Sequence, residues 1–202
     1  MIIIGVTGPS GAGKGAVSAI LAEKFGFKVI DADRVYHSII SSPSECVKEL
    51  AVSFGEDVLN EVGGIDRRAL SQKVFGDENK DKLLLLNKIT HKYVIYEIEK
   101  LLVEHRNSGI EVCIIDAPLL IEAGVDKMCD HTVAVIADKE LRAKRISDRD
   151  GIDENAALLR INSQKSDSFY TDACSFILSN NHCKRELESS VDSCLRALGV
   201  LK

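Results

Sequence analysis

The sequence predicts an α/β protein built on a five-stranded parallel sheet, interrupted by one helical insertion. Three observations carry that expectation. The chain opens on a β-branched apolar strand, a glycine-rich turn and an amphipathic helix leading to a second short strand. Such a unit closes through a right-handed crossover, which makes its strands parallel. The strand–helix rhythm returns after about residue 106, and between the two stretches the apolar pattern is helical only.

Ile2-Ile3-Ile4-Gly5-Val6-Thr7 reads as a strand buried on both faces. Val17, Ile20, Leu21 and Phe25 then fall at helical spacing from about Lys14, with Gly26 as the stop. Lys28–Asp31 is a second strand. Helical patches follow over Arg34–Ile40, Glu45–Phe54, Arg67–Phe75 and Lys80–His105, separated by turn signals such as Ser41-Ser42-Pro43 and Gly63-Gly64. Val112–Asp116 and His131–Ile136 resume the sheet, followed by a helix over Lys139–Arg149 and a charged helical segment over Asp153–Lys165. Ser175–Leu178 reads as the last strand and Cys183–Leu198 as a closing helix.

Composition narrows the setting. Over 202 residues, 45% apolar and 28% charged residues suit a globular protein with an ordinary core. A net charge of −5 argues against a broad nucleic-acid surface. The six cysteines include no C-x-x-C pair, so they suit reduced thiols rather than a zinc site or a disulfide framework. No apolar run approaches the ~20 residues that span a bilayer. Met1–Ile4 has no basic residues before it and is too short for a signal-peptide core. A cytoplasmic protein without membrane or nucleic-acid partners is therefore expected, and a monomer is expected with it, although composition does not give the oligomeric state.

Gly8-Pro9-Ser10-Gly11-Ala12-Gly13-Lys14 matches G-x-x-x-x-G-K, between a strand and a helix. Glycines at this spacing let backbone N–H groups turn onto phosphate oxygens, the helix N-terminus adds a positive dipole end, and the lysine reaches the β- and γ-phosphates. The motif makes the fold a P-loop NTPase three-layer fold. Gly8, Gly11, Ala12, Gly13, Lys14, Gly15 and Ala16 become the candidate ATP-binding residues. Gly15 and Ala16 stand where a Ser or Thr usually offers magnesium a hydroxyl. The G-K-G ending resembles adenylate and cytidylate kinases. No direct protein ligand to metal is expected, and Mg²⁺ arriving with ATP would keep its waters.

Asp31-Ala32-Asp33 follows the second strand, and ligands of open α/β sheets bind beyond the C-terminal strand ends. A carboxylate there can orient and deprotonate an attacking hydroxyl, while either aspartate also suits a helix N-cap. Asp116, ending the third strand, occupies the place of a Walker B-type acid. Arg142, Arg145 and Arg149, with Lys144, lie on the helix after the fourth strand, and Arg145 and Arg149 share a face. Asp148 and Asp150 are available to pair with them.

In order and spacing, GPSGAGKG, VIDAD, FGEDVLNEVGGIDRRAL, ITH, DAPLLIEAG, RAKRISDRDG and INSQ resemble the dephospho-coenzyme A kinase family over nearly the whole chain. The resemblance implies ATP-dependent phosphorylation of the ribose 3′-hydroxyl of dephospho-CoA, the last step of coenzyme A synthesis. It implies a nucleotide-binding core at 1–33, 106–147 and 166–202, a helical CoA-binding insertion at 34–105 and a lid at 148–165. Asp33 matches the family's base, and Arg145 and Arg149 match its lid arginines, which with Lys14 form the catalytic set. Asp31, His91, Leu119 and Glu122 fall to substrate binding, and Asn180 to adenine. Departures are Lys92 for the proline of T-H-P, Ile121 for Phe in P-L-L-F-E, and Tyr170 for the lysine six residues after Gln164. A nucleoside monophosphate kinase is the nearest rival, and a non-catalytic P-loop module a more distant one.

Overall fold

The computed structural model describes residues 1–76 and 79–201, so small parts of the expected insertion and core ranges lie outside the described residues. In chain order the elements are β1 (Ile2–Thr7), α1 (Lys14–Phe25), β2 (Lys28–Asp31), α2 (Ala32–Ile40), α3 (Glu45–Phe54), α4 (Arg67–Val74) and α5 (Lys80–Asn107). Then come β3 (Val112–Asp116), β4 (His131–Ile136), α6 (Lys139–Asp150), α7 (Glu154–Asn162), α8 (Asp167–Ala173), β5 (Phe176–Ser179) and α9 (Lys184–Ala197). Two compact units result: Met1–Ile30 with His105–Lys202, and Asp31–Glu104.

The sheet has the order β2-β3-β1-β4-β5. β1 pairs in parallel with β3, Ile4 opposite Ile114, and with β4, Ile4 opposite His131. Because β1 is central, both its faces must be apolar, and Ile4 and Val6 are fully buried. They pack with Val17 and Leu21 of α1 and with Leu187, Val191 and Leu195 of α9. On the other face Leu120 closes over Gly5, where a Cβ would fall 2.7 Å from its Cδ2. Burying Leu120 completely contributes about 2 kcal/mol.

The unit Asp31–Glu104 has its own core of Ile40, Val47, Leu50, Phe54, Val58, Leu70 and Ile89. Side-chain caps start its helices. Ser44 accepts from the Val47 N–H at 3.2 Å, and Asp66 from Arg68 and Ala69 at 2.8 and 3.1 Å. Each such cap stabilises its helix by about 1 kcal/mol.

The larger boundary shifts fall in three helices. α2 begins at Ala32 rather than Arg34 because Asp31 caps it, α5 runs on to Asn107, and the charged segment stops being helical at Asn162 rather than Lys165. α8 was not expected from the pattern, since seven residues hold too few turns to show helical periodicity. Among the described residues no helix is long and apolar enough to cross a membrane.

Candidate phosphate-binding and phosphoryl-transfer site

The loop 8–13 connects β1 to α1 and lies against β4. Gly8 has φ 141°, and a Cβ there would fall 2.1 Å from the Val135 carbonyl oxygen. Only glycine fits that approach. Lys14 opens α1 and folds back over the loop, its Nζ donating to the Gly8 carbonyl at 2.8 Å and the Pro9 carbonyl at 3.4 Å. Gly15 and Ala16 follow it, both exposed.

Side chains from α6 and from the end of β5 hold the outer side of this loop. Arg142 Nε donates to the Ser10 carbonyl at 3.0 Å. Arg145 Nη1 reaches the Gly11 and Ala12 carbonyls at 3.4 Å each, and its Nη2 reaches the Asn180 carbonyl at 3.0 Å. Asn180 is buried and turns its amide onto the Ala12 carbonyl at 2.8 Å. Asn180 thus braces the loop from the end of β5. Gln164, a match in the INSQ segment, accepts from the Ser10 N–H at 3.1 Å.

Arg145 and Arg149 share a helix but not an environment. Arg145 is half-buried against the loop, whereas Arg149 is exposed and grips Asp150 bidentately at 2.7 and 2.9 Å. Arg160 of α7 joins the same carboxylate. Hydrogen bonding to Arg149 first, then to Arg160, holds the Asp150 carboxyl down at about 2. The pairing foreseen for Asp150 thus falls to Arg149, and Arg145 is drawn to the backbone.

At the strand ends, Asp116 accepts a hydrogen bond from the Ser18 hydroxyl at 2.6 Å. Ser18 went unread, although it lies four residues after Lys14 and so on the same face of α1. A magnesium ion arriving with ATP meets no hydroxyl on Gly15 or Ala16. Among the described residues no three His, Cys, Asp or Glu side chains are grouped to hold a metal unaided. The Ser18–Asp116 pair fits water-mediated contact with a hydrated ion.

Asp31 and Asp33 occupy different places at the start of α2. Asp31 is the N-cap of α2, accepting from the Arg34 N–H at 3.0 Å. Asp33 lies in the first turn of α2, exposed, two residues past the end of β2. Leu119 is 44% exposed and Glu122 is also exposed, while Leu120 between them is core. Tyr170 is buried, and that burial raises its pKa.

His91 is half-buried on α5, and desolvation lowers its pKa. Between that lowered value and 6.5 the unfolded chain holds more protons, so stability rises with pH across this window. Acidification from pH 7.5 to 5.5 is expected to lower the Tm of the wild type. His91→Gln should reduce that pH dependence, which thermal melts across the series would measure.

The Asp31–Glu104 unit also carries an open cavity of about 740 Å³, lined among others by Ser38, Ile39, Ser44, Cys46, Lys92 and Tyr93.

A glycine-rich loop at the head of a parallel sheet, with its lysine in the first helical turn and an acid ending the neighbouring strand, defines a P-loop nucleotide-binding protein. A family model described as dephospho-CoA kinase matches residues 2–186. The chain is 41% identical over 162 residues to the dephospho-CoA kinase of Carboxydothermus hydrogenoformans, covering 80% of this chain and 77% of that one. It is 40% identical over 192 residues to that of Fusobacterium nucleatum, covering 95% and 96%. Its fold is similar to the crystal structure of TT1252 from Thermus thermophilus, with a TM-score of 0.76 at 30% identity over 98% and 97% of the two chains. The chain belongs to the dephospho-CoA kinase family.

Proposed function

We infer that the protein transfers the γ-phosphoryl group of ATP to the ribose 3′-hydroxyl of dephospho-CoA, giving CoA and ADP. The single observation that carries the reading is a complete phosphate-binding loop, braced from α6 and β5, in a chain that aligns with this family almost end to end. The loop backbone and Lys14 hold the ATP phosphates.

Asp33 orients the acceptor hydroxyl and takes its proton. Two facts support this: Asp31 already caps α2, and Asp33 follows a strand end of the sheet. Arg145 and Arg149 neutralise charge on the transferred group. Residues 148–165 act as a lid that excludes water, and residues 34–105 bind the acceptor, with His91, Leu119 and Glu122 among its contacts. The cavity beside Lys92 and Tyr93 has room for part of the pantetheine arm. Magnesium bound with ATP would offset phosphate charge, its waters held by Asp116 and Ser18.

The reading carries with it a monomer in the cytoplasm, acting on ATP and dephospho-CoA without nucleic acid or membrane. The unpaired state of all six cysteines suits that compartment. A coupled ADP-release assay with dephospho-CoA, CMP, AMP or no acceptor tests the function. Turnover is expected with dephospho-CoA alone, and CMP or AMP turnover in its place would make the protein a nucleoside monophosphate kinase.

A further inference from the structure

We propose that Arg142 is a positioning residue for the phosphate-binding loop, setting the Ser10–Gly11 peptide through its hydrogen bond to the Ser10 carbonyl. Arg142 is only 3% exposed, unusual for a charged side chain. A guanidinium persists at such depth when its charge is paired and its N–H groups are bonded. Both conditions are met: Nε donates to Ser10 O at 3.0 Å, and Nη1 pairs with Asp167 Oδ1 at 2.8 Å.

Asp167 is the first residue of α8, and its side chain is 49% exposed, so water completes the solvation of the carboxylate. The two peptides that flank Ser10 are thereby each held. The Ser10 carbonyl is fixed by α6, and its N–H by Gln164, three residues ahead of Asp167. The loop also presses on α6: Gly11 has φ 78°, and a Cβ there would fall 2.7 Å from the Arg142 carbonyl oxygen. No side chain other than hydrogen fits at that position.

The consequence follows from peptide geometry. In a trans peptide the C=O and the next N–H point in opposite directions. Drawing the Ser10 carbonyl toward α6 therefore turns the Gly11 N–H to the opposite side, where a G-x-x-x-x-G-K loop receives phosphate. Asp167 cancels the charge of Arg142, so the contribution is one of geometry. A planar fork with two separated donors supplies it, and a lysine ammonium does not. This inference rests on the phosphoryl-transfer reading only for the identity of the nucleotide in the loop.

Arg142→Lys, Arg142→Met and Asp167→Ala in the full chain provide the test, with MgATP and dephospho-CoA affinities measured by calorimetry beside thermal melts and steady-state kinetics. Both Arg142 variants should weaken ATP binding by roughly tenfold or more, the scale of one lost charge-assisted hydrogen bond. They should leave dephospho-CoA affinity within about twofold and raise KM for ATP more than they lower kcat. Asp167→Ala frees the guanidinium from its orienting carboxylate and should weaken ATP about threefold. Folded Arg142 variants with wild-type ATP affinity would overturn the proposal, and so would equal losses for both ligands that track the fall in Tm. Should the Arg142 variants not fold, Asp167→Ala decides, and unchanged ATP affinity there sinks the idea. Wild-type protein inert toward dephospho-CoA, with ATP binding still lost in Arg142→Lys, would count against the function and support this assignment.

Discussion

Asp33→Asn is expected to lower kcat by roughly 10²–10⁴-fold, the usual scale of a lost general base. Asparagine keeps the size and much of the hydrogen bonding of the carboxylate but accepts no proton near neutral pH. Affinity for ATP should stay within a few-fold, because the loop backbone and Lys14 hold the phosphates and neither is changed. Stability should also hold, since the cap of α2 is Asp31 and not Asp33. This separates the two aspartates: Asp31→Ala should cost about 1 kcal/mol through the lost cap. Full activity in Asp33→Asn, measured as ADP release with dephospho-CoA, would remove the base from the account.

The arginines of α6 give the second large effect. Arg145→Ala and Arg149→Ala are each expected to reduce kcat by roughly 10²-fold, as when a contact to transition-state charge is removed. Their stabilities should differ. Arg145 ties the loop to the Asn180 carbonyl, so its loss should also lower Tm. Arg149 is exposed and pairs with its neighbour Asp150, so its loss should leave Tm unchanged. Single-turnover kinetics beside thermal melts would read both. Arg149→Ala with wild-type kcat would leave that residue as a surface partner of Asp150.

Most of the architecture was legible because the elements repeat a local pattern. β1 and β3 are continuous apolar runs, as strands covered on both faces must be, and α1 begins where the glycine-rich loop ends. The loop could be found from spacing alone, and Asp31-Ala32-Asp33 was marked by its place at the end of β2. Arg142 could not be found this way. On a helix rich in Arg, Lys and Asp it reads as one more solvated cation, and its burial depends on a carbonyl at Ser10 and a carboxylate at Asp167, both remote in sequence. Asn180 was named through the family resemblance, but its hold on the loop was not legible, since that depends on the Ala12 carbonyl across the fold. The division between Asp31 and Asp33 also needed coordinates, because either residue type caps a helix equally well.

Identifying the product formed from dephospho-CoA and ATP tests the central claim most directly. The protein with Mg²⁺, ATP and dephospho-CoA should yield ADP and an equal amount of a product carrying a new phosphomonoester, seen by ³¹P NMR and placed on the ribose 3′-oxygen by its coupling to the 3′-proton. CoA that forms in step with ADP is the result the account predicts. ADP formed at the same rate with and without dephospho-CoA, or a new phosphate elsewhere on the acceptor, would contradict it.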